Sequence, residues 1–174
     1  MIKIFGKIGT IELDFFDYLM PNPVSFHTNL VSTLVEYLTQ ETAAIAPELT
    51  WGAFEFNTAN TDTLLGSVYI PSWTVLDQIS ADYYSCEFDI AIAISISKAN
   101  AKDCIEAAHA WGGYLCETVI RKLRYGGHNG LFKGIAIATP CGLQEPVVNQ
   151  DGGASTAVVV NCKWTCQECH FVPC

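Results

Sequence analysis

The stretch CEFDIAIAISIS, residues 86–97, decides the fold of this chain. Large apolar side chains occupy every second position: Phe88, Ile90, Ile92, Ile94 and Ile96. A period of two predicts a β-strand with one face buried against helices. The positions between them hold alanine, serine and aspartate, so the second face is small and mildly polar. We therefore predict a long central strand that another layer can approach closely on its small-residue face.

A long helix is predicted directly after this strand, over residues 101–125. Asn100 suits the N-cap position, and Asp103 lies in the first turn, where the helix dipole favours an acid. One apolar stripe recurs at spacings of three and four: Cys104, Ala108, Trp111, Leu115, Val119 and Leu123. The stripe indicates packing on a core, and Gly126-Gly127 ends the helix. Gly112-Gly113 predicts close contact with the sheet, since each glycine costs about 1 kcal/mol relative to alanine.

The N-terminal half gives weaker patterns. Residues 25–45 predict a helix with Ser25 as its N-cap, and Pro47 follows its end. Residues 50–80 predict two irregular strands, the second of which is stopped by Pro71 because proline cannot donate a ladder hydrogen bond.

Two more strands are predicted near the end of the chain, at residues 134–138 and 157–165, separated by a long polar loop at 144–155. Strands follow one another without regular helical crossovers. This order predicts an α+β fold, a mixed or antiparallel sheet with two main helices packed on one face. We divide the chain into an N-terminal arm at 1–24, a single α+β domain at 25–165 and a cysteine-rich C-terminal tail at 166–174.

Composition and charge exclude several function classes. The 174 residues are 50% apolar and 16% charged, and the formal net charge is −9. An acidic surface repels phosphates, so it disfavours a protein that grips nucleic acid but suits a surface that DNA slides past. Six of the nine cations lie between residues 98 and 133. No signal peptide or membrane span is predicted, so we expect synthesis in a cytoplasm and no membrane partner.

No catalytic motif is recognisable, and we predict no catalytic and no cofactor-binding residues. The serine elbow G-x-S-x-G and the phosphate-binding P-loop are missing, and the glycine-rich run 126–130 follows a helix instead of opening one. The histidines are isolated: His27, His109, His128 and His170. The carboxylate pairs Asp14/Asp17 and Glu41/Glu48 fit solvated charge. A cysteine–histidine pair formed only in the fold remains an alternative.

The cysteines form two groups. We expect the scattered ones, Cys86, Cys104, Cys116 and Cys141, to be small buried hydrophobic side chains. The C-terminal group comprises Cys162, Cys166, Cys169, His170 and Cys174. Thiolates three residues apart can chelate zinc, but a complete zinc module usually has two separated pairs. We therefore predict no metal ligands there and expect free thiols, with zinc or redox chemistry as alternatives.

Three segments together resemble the tail terminator, or tail completion, proteins of long-tailed bacteriophages. They are FHTNLVSTLVEYLTQETA at 26–43 followed by strands ending in VYIP at 68–71, YYSCEFDIAIAISIS at 83–97, and NAKDCIEAAHAWGGYLCETVIRKL at 100–123. The resemblance covers about residues 25–125 and lies in the order and patterning of elements. The arm and the cysteine-rich tail lie outside it.

The resemblance implies a structural virion protein and no enzyme. Such a protein forms a homo-hexameric ring at the head-proximal end of the tail, caps the tail tube and joins it to neck or connector proteins. DNA passes through the lumen without sequence-specific contact, and the protein is located in the virion after synthesis in the host cytoplasm. The alternatives are another ring, connector or tail tube subunit of the same particle, a zinc-bound adaptor and a small Cys/His-dependent cytoplasmic enzyme.

Overall fold

A computed structural model describes residues 26–53, 64–79, 83–127, 130–139, 142–148 and 152–170. The predicted arm at 1–24 lies outside the described residues, as do Cys141, Cys174, His128 and the pair Asp14/Asp17. The side chains of 26–29, of 83 and of 167–170 are likewise outside the description.

The described part of the chain holds two main helical regions and seven strands. The helical segments are α1 (Phe26–Thr42), α2 (Ala101–Tyr114), a π-helical segment (Leu115–Ile120) and α3 (Arg121–Arg124). The strands are β1 (Thr50–Ala53), β2 (Leu64–Gln78), β3 (Tyr83–Lys98), β4 (Ala136–Ile137), β5 (Gly142–Leu143), β6 (Val147–Val148) and β7 (Ala154–His170).

These strands form one mixed sheet in the order β1-β2-β3-β7-β4, and β5 and β6 also pair with β7. β1 runs parallel to β2, and every other pairing is antiparallel. The predicted α+β class with a mixed sheet is therefore confirmed. β3 lies at its centre, between β2 and β7, over almost its whole length.

The two helical regions cover the same face of this sheet. α1 packs on β1 and β2, whereas α2 packs on β3 and β7. They also touch each other: the Tyr37 hydroxyl donates to the carbonyl of Val119 at 3.2 Å, and the Tyr114 hydroxyl donates to the carbonyl of Glu41 at 3.0 Å. In both hydrogen bonds the donor is a side-chain hydroxyl. They therefore join the two helical regions without removing a backbone N–H from either helix.

The core lies between the helices and β3. All five large apolar side chains of the 86–97 pattern are at most 1% exposed, as the period of two predicts. Ala91 and Ala93 on the opposite face are also fully buried. Ala91 pairs with Tyr69 on one side and Asn161 on the other, so its small side chain is shielded by longer neighbours in the sheet.

The predicted 101–125 helix is one continuous helical region, but it contains the π-helical segment. Asn100 caps it as expected, its side-chain oxygen accepting from the backbone N–H of Asp103 at 2.9 Å. The wider π-helical turn lets the adjacent residues Val119 and Ile120 both face the core. The close contact expected at the glycine pair is wrong for Gly113, where an added Cβ meets nothing within 4 Å.

The C-terminal end of the helix follows the predicted glycine stop. Gly126 has a φ of 97°, and the N–H of Gly127 donates to the carbonyl of Lys122 at 2.8 Å. The N–H of Gly126 donates to the carbonyl of Leu123 at 3.1 Å. This is a Schellman motif: the left-handed conformation of Gly126 lets two backbone N–H groups donate to carbonyls of the last turn. The first two glycines of the run 126–130 therefore end the helix.

The prediction that Pro71 stops its strand is wrong. β2 continues to Gln78, and its register with β3 shifts between Tyr69 and Ser72. A proline inside such a bulge does not have to donate to the ladder, so the strand can pass through it.

The predicted boundaries near the end of the chain also change. β7 runs from Ala154 to His170, well beyond 157–165, so residues 166–170 of the predicted tail are paired strand. The predicted strand 134–138 is reduced to Ala136–Ile137, and the polar loop 144–155 contains β6. The three short strands β4, β5 and β6 all pair with β7. Each is too short to show a period of two, so periodicity does not predict where it begins and ends.

Candidate assembly surfaces

The C-terminal cysteines are part of the sheet. Cys162 and Cys166 are each 1% exposed and point into the core. Four residues along a strand span about 13 Å, whereas two ligands of one zinc ion each need a bond of about 2.3 Å. The Cys169 backbone lies opposite Tyr84 in β3, and among described residues no three metal-ligating side chains form a group.

Burial makes the core thiols poor nucleophiles. The pKa of Cys162 is raised to about 12, chiefly by desolvation and also by the neighbouring Cys116, whereas Arg124 acts to lower it. Burial also raises the pKa of Cys104, whose Sγ donates to the carbonyl of Ile96 at 3.3 Å. Since the thiolate is the reactive form, these groups stay neutral and unreactive near pH 7.

The other sequence candidates are spread over the surface. His109 is exposed on α2, and Glu48 is exposed after α1. Glu41 accepts from Lys122 at 2.5 Å, and this hydrogen bond raises the pKa of the lysine. The pair ties α1 to the end of the helical region that packs beside it.

A first candidate surface is the β2–β3 hairpin. We define the acidic hairpin as residues 72–79 and 83–89, which contain Asp77, Glu87 and Asp89 and no lysine, arginine or histidine. β1 pairs with β2 only from Leu65 to Val68, so the hairpin extends beyond it. Its β2 side exposes four large apolar side chains by 41–55%: Trp73, Val75, Leu76 and Ile79. Apolar groups exposed together on a strand are typical of an interaction site.

Aromatic rings anchor this hairpin to the core. Trp73 stacks on Phe88 with 6.3 Å between ring centroids, and Phe88 stacks on Trp164 at 5.7 Å. Phe132 packs against the other side of Trp164 at 5.2 Å. Phe88, Trp164 and Phe132 are buried, so the series of contacts fixes the base of the hairpin relative to the opposite side of the sheet.

A second candidate surface is the end of the long helix. We define the basic helix end as residues 121–133, which contain Arg121, Lys122, Arg124 and Lys133 and no acid. Tyr125 is 75% exposed at its centre. Two open depressions of about 450 and 200 Å³ both include Arg121 and Tyr125 in their walls. The Nε of Arg124 donates to the carbonyl of Ile135 at 2.9 Å, which holds this end beside β4.

A third candidate surface is apolar and lies on the far edge of the sheet, across β7 from the hairpin. Leu143 of β5 and the pair Val147 and Val148 of β6 are exposed there. β5 is held by the N–H of Gln144, which donates to the carbonyl of Ala157 at 3.0 Å. The molecule thus presents apolar side chains at two opposite edges of one sheet.

Comparison with protein-family profiles and with curated protein sequences found no match. In the described part of the chain, no helix combines the length and apolarity needed to cross a bilayer.

Sequence reasoning missed both charged surfaces as units. The clustering of cations between 98 and 133 is visible in the sequence, and so is the segment 72–89, which holds four acids and no cation. That signal was available, because segregated charge can be counted directly along the chain. The sequence does not predict the exposure of Trp73 and Tyr125, because that exposure depends on how far the helices extend over the sheet.

Proposed function

We propose that this chain is a structural subunit of a bacteriophage virion, a tail terminator that forms a hexameric ring. The ring caps the tail tube at its head-proximal end and joins it to the neck. The observation that carries the proposal is the exposure of large apolar side chains at two opposite edges of one sheet. Two different edges on one chain suit head-to-tail contact, and such contact forms a ring when the rotation between copies closes.

The charge of the chain supports passage of DNA through such a ring. A net charge of −9 repels phosphates, and in the described part of the chain three lysines pair with acids. Weak attachment is what a conduit needs, because a strongly bound duplex would not move. The partners in this proposal are further copies of the chain, the tail tube protein and the neck proteins, with DNA only in transit.

The order of elements supports the resemblance to tail terminators from which the proposal began. Helix, strands, long central strand, long helix and closing strands follow in the described part of the chain as in the resemblance. The main competing function is a tail tube or other connector subunit of the same particle. A Cys/His-dependent enzyme is less favoured, because burial keeps Cys104 and Cys162 neutral.

Mass measurement and electron microscopy of the purified chain test the proposal. We expect closed rings with the mass of about six chains at micromolar concentration, and we expect added rings to stop the growth of a polymerising tail tube. Open tubes built from the chain itself would assign it to the tube instead. A chain that stays monomeric at the highest soluble concentration would contradict assembly of either kind.

A further inference from the structure

We propose that the acidic hairpin of one copy docks on the basic helix end of the next copy. This inference rests on the proposed ring and names the contact that would build it. The occupant of each surface is therefore a second copy of this chain, joined head to tail.

Charge complementarity is the first argument. Among the described residues, 72–79 and 83–89 carry three acids and no cation, and 121–127 and 130–133 carry four cations and no acid. Surfaces of opposite sign attract during encounter and exclude contacts between like surfaces. A hairpin therefore disfavours another hairpin, and a helix end disfavours another helix end, which leaves the head-to-tail pairing.

Part of this charge is already neutralised inside each chain. Lys122 pairs with Glu41, and Lys163 pairs with Glu87 at 2.6 Å and with Asp89 at 3.6 Å. The exposed groups Arg121 and Lys133 on one surface and Asp77 on the other keep the opposite signs available for contact. Arg124 uses its Nε within the chain, but a guanidinium has five N–H donors, so its other groups can still face a partner.

The side chains on both surfaces also match an interface in kind. Tyrosine and arginine are among the residues most enriched at the energetic centres of interfaces, and Tyr125 directly follows Arg124 in the chain. The two open depressions share Arg121 and Tyr125 in their walls and have room for Val75, Leu76 and Ile79. The larger one is also lined by Glu117 and by Glu41, which already pairs with Lys122, so Arg121 beside Tyr125 is the cation that faces Asp77. Apolar side chains with such a charged pair beside them supply both the apolar core and the polar rim of an interface.

The sheet places the base of the hairpin level with β4 on the opposite edge. Ser72 at the base of the hairpin pairs with Asp89, Asp89 pairs with Lys163, and Lys163 pairs with Ala136 of β4. The basic helix end is attached beside β4 through Arg124. The exposed side chains at 73–79 therefore extend along the strand from this level, and the repeated contact forms a ring when the rotation between copies closes.

Two complementary variants test the contact. The first, Leu76→Ser with Asp77→Lys, disables the hairpin, and the second, Arg121→Glu with Tyr125→Ser, disables the helix end. All four positions are exposed, so circular dichroism should show native folding. We expect each variant alone to be monomeric in light scattering and native mass spectrometry. Mixed at equal amounts, they should form a 1:1 dimer and nothing larger, since only one intact surface of each kind remains.

Controls separate this inference from the proposed ring. Lys102→Glu changes an exposed cation at the far end of the helix and should leave rings intact. If either surface variant misfolds, Ile79→Ser or Lys133→Glu replaces it. Rings that persist in both variants, or variants that stay monomeric when mixed, would overturn the docking contact while leaving ring assembly itself standing. A wild-type chain that never assembles would instead remove the proposed ring, and the contact with it.

Discussion

At the scale of single residues, one hydroxyl joins α1 to the sheet. Thr42, 1% exposed at the end of α1, accepts from Nε1 of Trp51 at 3.0 Å and donates to the carbonyl of Leu38 at 2.8 Å. Thr42→Val removes the acceptor and leaves the indole N–H buried without it, which should lower the free energy of unfolding by about 1–3 kcal/mol. Urea denaturation followed by tryptophan fluorescence measures the change.

Thr39→Val is the matched control. Its hydroxyl makes the same type of hydrogen bond, to the carbonyl of Val35 at 2.7 Å, but in an exposed position. We expect its effect to stay within about 0.5 kcal/mol, since water can replace the lost partner. Equal losses in the two variants would show that the bond to Trp51 contributes nothing specific.

The buried ionisable groups predict how stability depends on pH. Desolvation raises the pKa of Cys162 from 9.0 to about 12, and burial, aided by Glu41, raises the pKa of Tyr37. The folded state therefore keeps protons that the unfolded chain releases. Stability should be constant below about pH 9 and should fall above it, by up to about 1.4 kcal/mol per pH unit for each such group.

Urea unfolding from pH 7 to pH 11 measures this dependence, with Cys162→Ala as the comparison. The variant lacks one group that retains its proton in the fold, so its stability should fall less steeply above pH 9 than that of the wild type. Parallel curves for the two proteins would show that Cys162 does not titrate as its burial requires.

Trp111 shows what residue patterns cannot give. Its place in the helical stripe predicts burial, with a cost of about 3–5 kcal/mol for truncation to alanine. In the structure it is only half-buried and meets Tyr114 edge-on at 5.8 Å, so we expect a smaller loss. The indole that fills the core is Trp164, 2% exposed. Periodicity identifies the side of a helix that faces the sheet, but not how far the sheet extends beneath it.

At the scale of elements, the parallel pair β1–β2 depends on one glycine. Gly66 lies opposite Trp51, and a Cβ added there would lie 2.3–2.7 Å from atoms of the indole ring. Gly66→Ala should therefore displace the ring and destabilise the protein by about 1–3 kcal/mol. Thermal unfolding compares it with Gly52→Ala on β1, where an added Cβ meets nothing within 4 Å.

Gly52→Ala should be neutral or slightly stabilising, because alanine restricts the unfolded chain. Similar destabilisation by both substitutions would point to strand propensity instead of the indole contact. Introduced into a Trp51→Leu background, Gly66→Ala should cost less than in the wild type, since the smaller side chain leaves space for the new methyl group.

Elements differ in how well the sequence predicts them. β3 and the long helix were predicted because each carries a complete pattern of its own period: alternate Ile90–Ile96 positions, and the stripe that begins at Cys104. β2 was misread at Pro71, because a bulge depends on register with β3 and leaves no local pattern. The spacing of Cys162 and Cys166 resembles a metal motif in the sequence. Because both lie on the extended strand β7, they are too far apart to share an ion.

At the scale of the whole molecule, charge is segregated more sharply than the sequence first suggests. The acids of 72–89 and the cations of 121–133 are separated along the chain, but their positions on opposite edges follow from the order of β2, β3, β7 and β4. Composition predicts the sign of the surface as a whole. It does not predict which parts face a neighbour, because that depends on strand pairing between distant segments.

The net charge makes a prediction for the assembled protein. If the basic helix ends are covered by neighbouring copies, an assembly of chains with a formal charge of −9 each should present few free cations to DNA. We expect no retention of a 50-base-pair duplex in a gel-shift assay at micromolar protein and about 50 mM salt, where phosphate contacts are strongest.

The variant Leu76→Ser with Asp77→Lys is the informative comparison, since its monomers leave the basic helix end uncovered. Weak, salt-sensitive retention by this variant alone would agree with the contact. Equally strong binding by the wild-type assembly would mean that the cations remain accessible, and an unobstructed conduit for DNA would then be untenable.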